Sequence, residues 1–336
     1  MEIHSKNKLI PFFENAKVVA AICLSLFHFI QHSDHTGFLV NQSNQWLQGF
    51  LDVLFTTVFV FFVITGYVIP AHLKNTNYQL AHIGHFIFKR ILRIYIPFLA
   101  CIAGYLMLDF LFKRYNQLPF SIEWGRLLAN ITFTANFTST TYYNPIFWTL
   151  AIEIQFYLFI SILFPLLDRI KSPIGFYVLG SITATTGYFW RDNNLLFEYL
   201  PMIMSGYFLF SFRSEKITLN TLIALLILQL GVVSMTFNPL TSITLGLFFV
   251  GFLFQSNRVF FPTFALRTYS FYLFHGLFGG TFLYFTARHV TSPLSIIILL
   301  VIAVVLSIFG SWIAFYLFEK PAILLVKRLQ RHVRSQ

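Results

Sequence analysis

The sequence predicts an all-α, polytopic membrane protein of about ten transmembrane helices with both termini in the cytoplasm. Three observations carry this. Of 336 residues, 57% are hydrophobic and only 10% charged, with 44 phenylalanines, more apolar surface than a soluble fold hides. Apolar runs of about 20 residues, the length that crosses a hydrocarbon core, recur along the chain between short polar stretches. Finally, with ten spans and alternating loops, the side holding both termini collects 18 of the 23 Lys and Arg residues and the other side only 5, which by the positive-inside rule is the cytoplasmic side.

The spans are expected near 16–32, 50–70, 94–112, 145–167, 173–190, 196–212, 217–236, 239–256, 264–287 and 293–317. The first follows Lys6, Lys8 and Lys17 like a signal sequence, but no small-residue cleavage site follows, so it is expected to stay as an anchor. No repeat, low-complexity tract or appended soluble domain interrupts the pattern. A single membrane domain over residues 1–336 is therefore expected. The formal charge of +11 sits mainly beside span ends, where a membrane surface explains it; no basic helix with interleaved aromatics suggests nucleic acid. Cys23 and Cys101 lie in apolar spans and build neither a disulfide framework nor a metal cluster.

Polar residues inside the spans are the functional candidates, because an ionisable group in lipid is costly unless it meets a cavity or a partner. Lys17 and His28 are eleven residues apart, three helical turns, so they share a face with an axial separation of roughly 16 Å. Lys17 falls at the cytoplasmic rim and His28 near the midplane. The alternative for His28 is a histidine hydrogen-bonded between helices for packing. In "NPIFWTLAIEIQFYLF" (144–159), Asn144 and Pro145 suit a helix start, and Glu153 then lies roughly 13 Å deep. A carboxylate beside an imidazole holds one tautomer and raises its basicity, as general-base chemistry on a hydroxyl requires. A structural Glu–His pair is the alternative.

His275 in "RTYSFYLFHG" (267–276) is a third mid-depth candidate, with packing as its competing reading. His28, His32 and His35 share a helical face near Asp34, but they drift toward outer water, and no metal site is expected. "FKRILRIYIP" (88–97) sets Arg90 and Arg93 one turn apart, a pairing that grips phosphates or simply anchors the span. Thr65 and Gly66 stand near the inner end of the second span, where a glycine permits close approach by a neighbour or a ligand. The outer connection from Lys113 to Asn144, rich in Asn, Thr and Tyr, faces either a sugar or only solvent.

These residues together resemble the membrane acyltransferase-3 family, which includes bacterial O-acetyltransferases of lipopolysaccharide and other surface polysaccharides. The resemblance runs from Lys17 to Pro321 through several motifs in order. The family's arginine, ten residues, then histidine is similar to Lys17 and His28, with Lys for Arg. Its Phe-Phe-x-x-Ser-Gly motif resembles Phe61, Phe62, Thr65 and Gly66, and its Arg-x-x-Arg motif matches Arg90 and Arg93. "WTLAIEIQFYL" resembles the "WSLAVEEQFYL" signature, keeping Trp148, Glu153 and Gln155. Tyr269 to His275 and Phe318 to Pro321 resemble the late "SYSLYLxH" and "FERP" elements.

The resemblance implies transfer of an acyl group, usually acetyl from acetyl-CoA, to a hydroxyl of a glycan or lipid-linked glycan of O-antigen or exopolysaccharide type, in the bacterial inner membrane. It implies no permanently bound cofactor: acyl-CoA is a substrate. Lys17, Arg90, Arg93, Thr65 and Gly66 would receive the donor, and His28 with Glu153 would act on the acceptor hydroxyl, His28 as base or as transient acyl carrier. Trp148 and His275 are further candidates. A transporter or flippase of a glycolipid is the competing class, for which paired discontinuous helices in two repeated halves would speak; no such symmetry is present.

Overall fold

The computed structural model describes residues 10–33, 45–138, 140–191, 194–254, 258–290 and 292–334. Every regular element among them is helical. The long helices are α1 (Pro11–Ser33), α2 (Gln45–Thr56), α3 (Val58–Asn75), α4 (Ile83–Tyr115), α6 (Phe147–Leu167), α7 (Pro173–Phe189), α8 (Leu196–Arg213), α9 (Leu219–Thr236), α10 (Pro239–Leu253) and α14 (Pro293–Ala314). Short α5 (Trp124–Ile131) lies in the connection between α4 and α6. Between α10 and α14 run α11 (Pro262–Ala265), α12 (Thr268–His275), a π-helical turn π1 (Gly276–Gly280) and α13 (Thr281–Thr286). A second π-turn, π2 (Phe315–Glu319), joins α14 to α15 (Lys320–Arg334).

Each expected span has a helical counterpart, and six helical stretches among the described residues are long and apolar enough to cross a membrane: Pro11–Gln31, Gln45–Asn75, Leu80–Tyr115, Phe147–Leu167, Leu219–Thr236 and Leu294–Leu329. The four expected spans outside this set differ for identifiable reasons. Helices α7 and α10 have only 17 and 15 residues. Helix α8 carries Glu198, Ser205, Ser211 and Arg213 and is buried almost throughout. The span expected over 264–287 is broken into α11, α12, π1 and α13, which hydropathy alone does not register.

The outer faces match a lipid solvent. Along α14, Leu294, Ile298, Val301, Val305, Phe309 and Trp312 are exposed, while Ile296, Ala303, Ser307, Ser311 and Ala314 are buried. Small residues on the inward face let backbones approach closely, as helix packing without a strong hydrophobic drive requires. The tightest crossing is α3 on α8. A Cβ added to Gly66 would lie 1.8 Å from the Ile203 carbonyl oxygen, and one on Gly206 would lie 2.0 Å from that of Val63. Gly66 thus serves backbone contact between helices. Nearby, Asp168, just past α6, accepts from Lys74 of α3 at 2.7 Å and from Lys216, between α8 and α9, at 2.6 Å, tying three helix ends together.

Candidate active site

One cavity of about 290 Å³ opens among α1, α3, α4, α6, α11, α12 and π2. Its polar lining includes Lys17, Thr65, Arg90, Arg93 and Glu153, five of the residues singled out in the sequence. Each arrives for a local reason. The i, i+3 spacing of Arg90 and Arg93 turns both toward the same side of α4. Glu153 sits one helical turn before Tyr157, whose hydroxyl donates to its Oε1. Arg90 stacks over the rings of Phe86 and Tyr157 at 5.5 and 5.7 Å, so its charge is held by aromatic faces. Lys17 is ion-paired to Glu14 at 2.8 Å, one turn earlier on α1.

The rest of the lining brings groups the sequence reading did not single out: Thr149, Tyr157, Tyr269, Tyr272 and Glu319. The wider turn of π2 sets Glu319 on the cavity, where its Oε2 accepts from both the backbone N–H and the hydroxyl of Ser270. Tyr272 and Thr149 share a hydroxyl–hydroxyl bond of 2.6 Å. Their sequence signals were faint: Tyr157 is i+4 from Glu153 and Tyr272 is i−3 from His275, but tyrosine is at home in membrane helices without function.

The histidines form a second polar centre beside this cavity. The ring of His275 stacks on that of His28 with centroids 5.5 Å apart and planes 28° apart. Tyr272, which lines the cavity, lies 6.3 Å from His275 ring to ring, so the imidazoles adjoin the cavity beside Tyr272. His275 Nδ1 lies 2.7 Å from the Tyr272 carbonyl; a carbonyl only accepts, so Nδ1 carries the proton, and a neutral ring then has its lone pair on Nε2. The sequence reading paired Glu153 with His28. Instead Glu153 bonds to Tyr157 beside Arg90, while His28 meets His275, because equal depth on two helices does not make two side chains point at each other.

Trp148 stands beside the cavity rather than in it, packed on Phe62 at 5.9 Å and on Tyr199 at 5.4 Å. Gly66 faces α8 as described and is not among the lining residues. Asp34, His35 and the side chain of His32 lie outside the described residues; among the described residues no group of three His, Cys, Asp or Glu side chains is arranged for a metal. In the connection between α4 and α6, Arg126 donates to the carbonyls of Thr141 and Tyr142 at 3.1 and 3.0 Å and stacks on Tyr143 at 4.4 Å. Asn130 accepts from the Tyr143 N–H, and Tyr142 donates to Asn136. Much of that segment's polar chemistry therefore cross-links the segment itself.

Neither the curated proteins nor the solved structures contain a match to this chain. The profile of the family described as "Acyltransferase domain" matches residues 10–316, a stretch that includes Lys17, His28, Arg90, Arg93, Glu153 and His275. The chain belongs to the membrane acyltransferase-3 family.

Proposed function

We propose that this protein transfers an acetyl group from acetyl-CoA to a hydroxyl of a cell-surface or lipid-linked glycan, working in the bacterial inner membrane with both termini in the cytoplasm. The observation that carries the reading is the cavity shared by Lys17, Arg90, Arg93, Thr65 and Glu153, with a pair of imidazoles beside its Tyr272. With Lys17 paired to Glu14, Arg90 and Arg93 are the cations the cavity offers, and two guanidinium groups one turn apart suit the phosphates of a CoA ester. At about 290 Å³ it suits the pantetheine arm, with the diphosphate end against Arg90 and Arg93 and the adenosine outside.

The chemistry follows from the imidazoles. A glycan hydroxyl reaching His28 from the outer side gives up its proton to the ring as its oxygen attacks the thioester carbon. The new C–O bond forms, the C–S bond breaks, and the proton passes from the imidazolium to the departing CoA thiolate. His275, held in one tautomer by the Tyr272 carbonyl, orients His28. Arg90 and Glu153 act at the donor: the guanidinium on phosphate, the carboxylate holding Tyr157 and Arg90 in place.

The test is binding of radiolabelled acetyl-CoA to the protein in lipid nanodiscs, with CoA as competitor. Saturable binding that CoA displaces is the expected result. A protein that binds no acetyl-CoA yet moves a glycolipid between leaflets would replace this reading with that of a flippase.

A further inference from the structure

In an unbroken α-helix the N–H of Gly279 would donate to the carbonyl four residues back, that of His275. Here a side chain from another helix stands between them. The Gly279 N–H donates to Ser307 Oγ of α14 at 3.1 Å, and the Ser307 hydroxyl donates to the His275 carbonyl at 3.2 Å. The helix widens at that point into π1, closed by the Thr281 N–H on the Gly276 carbonyl five residues back. Insertion of a side chain into the backbone ladder is a recognised cause of such a break, and π-turns of this kind recur at functional sites.

The surroundings are built for the insertion. Ser307 is fully buried. A Cβ on Gly279 would come within 2.4 Å of Ser307 Oγ, 2.6 Å of the Ala303 carbonyl oxygen and 2.6 Å of the Phe29 ring, so glycine alone admits the hydroxyl. Two residues before His275, the Leu273 carbonyl accepts from Cys101 Sγ at 3.3 Å and Asn144 Nδ2 at 3.4 Å. Side chains from other parts of the bundle thus hold the carbonyl of His275 itself and the one two residues before it. A π-turn adds one residue, a rotation of about 100° for everything beyond it. His275 and Tyr272 can then face His28 and the cavity while Gly279, four residues on, packs against α14.

We propose that Ser307 is a positioning residue: its hydroxyl keeps the helix open after His275 and so aims the imidazole at His28. This rests on the acyl-transfer reading above. With alanine at 307 the Gly279 N–H and the His275 carbonyl can bond directly, the turn closes, and the imidazole rotates away from its partner.

The experiment compares wild type with Ser307→Ala in two assays: binding of labelled acetyl-CoA to nanodisc-embedded protein, and transfer of label from acetyl-CoA into the glycolipid fraction of membrane vesicles. The expected result is unchanged donor affinity and stoichiometry with kcat lowered on the order of 100-fold, the cost of a misplacement of about 1 Å. Loss of fold would reduce binding stoichiometry as well, so the split separates positioning from stability. Wild-type kcat in Ser307→Ala overturns the proposal. Should that variant fail to accumulate, Ser307→Cys, whose thiol is a poor bridge of similar size, carries the same prediction and the same refutation. If wild type itself transfers no label, the acyl-transfer reading falls and this role of Ser307 with it.

Discussion

Arg90 has the most to lose from a single substitution. Its guanidinium lies against the rings of Phe86 and Tyr157 and lines the cavity. A hydrogen bond to a charged group contributes about 1.5–3 kcal/mol, so Arg90→Gln is expected to weaken acetyl-CoA binding at least 10-fold, as read by titration of nanodisc-embedded protein. Equal affinity in the variant would remove Arg90 from the donor site. At this scale the sequence is informative where a charge stands inside an apolar run, because placing charge in lipid is costly, as at Glu153, and where two cations share a helix face, as at Arg90 and Arg93; Glu319, at the end of the last span, is passed over. Tyr157 and Tyr272 were not visible, since a tyrosine in a membrane helix carries no such penalty. The partner of His28 was misread because spacing along one helix fixes depth and face on that helix, whereas the neighbour's azimuth is set by packing.

Among the elements, the α3–α8 crossing is the strictest. With a Cβ on Gly66 or Gly206 lying about 2 Å from a backbone oxygen, the helices must separate, at a cost of several kcal/mol at the upper end of overpacking. Gly66→Ala and Gly206→Ala are expected to lose folded protein in detergent, measured by size-exclusion chromatography and thermal unfolding. Gly231→Ala, where the added carbon meets nothing within 4 Å, is the control and should behave as wild type. Gly66 also shows how a motif position can be legible while its reason is not: a glycine that permits close approach was predicted, and the approaching group is the backbone of α8. Continuous spans such as α6 were readable from hydropathy. The break after His275 was not, because the side chain that enters the ladder, Ser307, comes from a distant part of the chain.

For the whole molecule, the joint at Asp168 links the second, fourth and sixth predicted spans and lies outside the apolar stretches. Burial pushes its carboxyl up, but hydrogen bonds and charge from Lys216 and Lys74 outweigh that and hold Asp168 below its ordinary value of 3.8. A carboxyl that is more acidic folded than unfolded stabilises the fold above its unfolded value, and that contribution disappears as pH falls through the folded value. Asp168→Asn is therefore expected to lower the thermal midpoint by about 2 °C at pH 7, with the gap to wild type narrowing only below about pH 4. A gap constant down to that pH would show that packing, not charge, holds the joint. The excess of Lys and Arg on one side, read from loops alone, supports the proposed orientation, in which Lys17, Arg90 and Arg93 would meet an acyl-CoA arriving from the cytoplasm. The most direct test of acyl transfer through His28 is O-acetylation of the host's surface polysaccharide, measured by NMR in a deletion strain carrying wild type or His28→Ala at matched membrane abundance. Acetyl restored by wild type and not by His28→Ala is the predicted result; acetyl restored equally by both would contradict it.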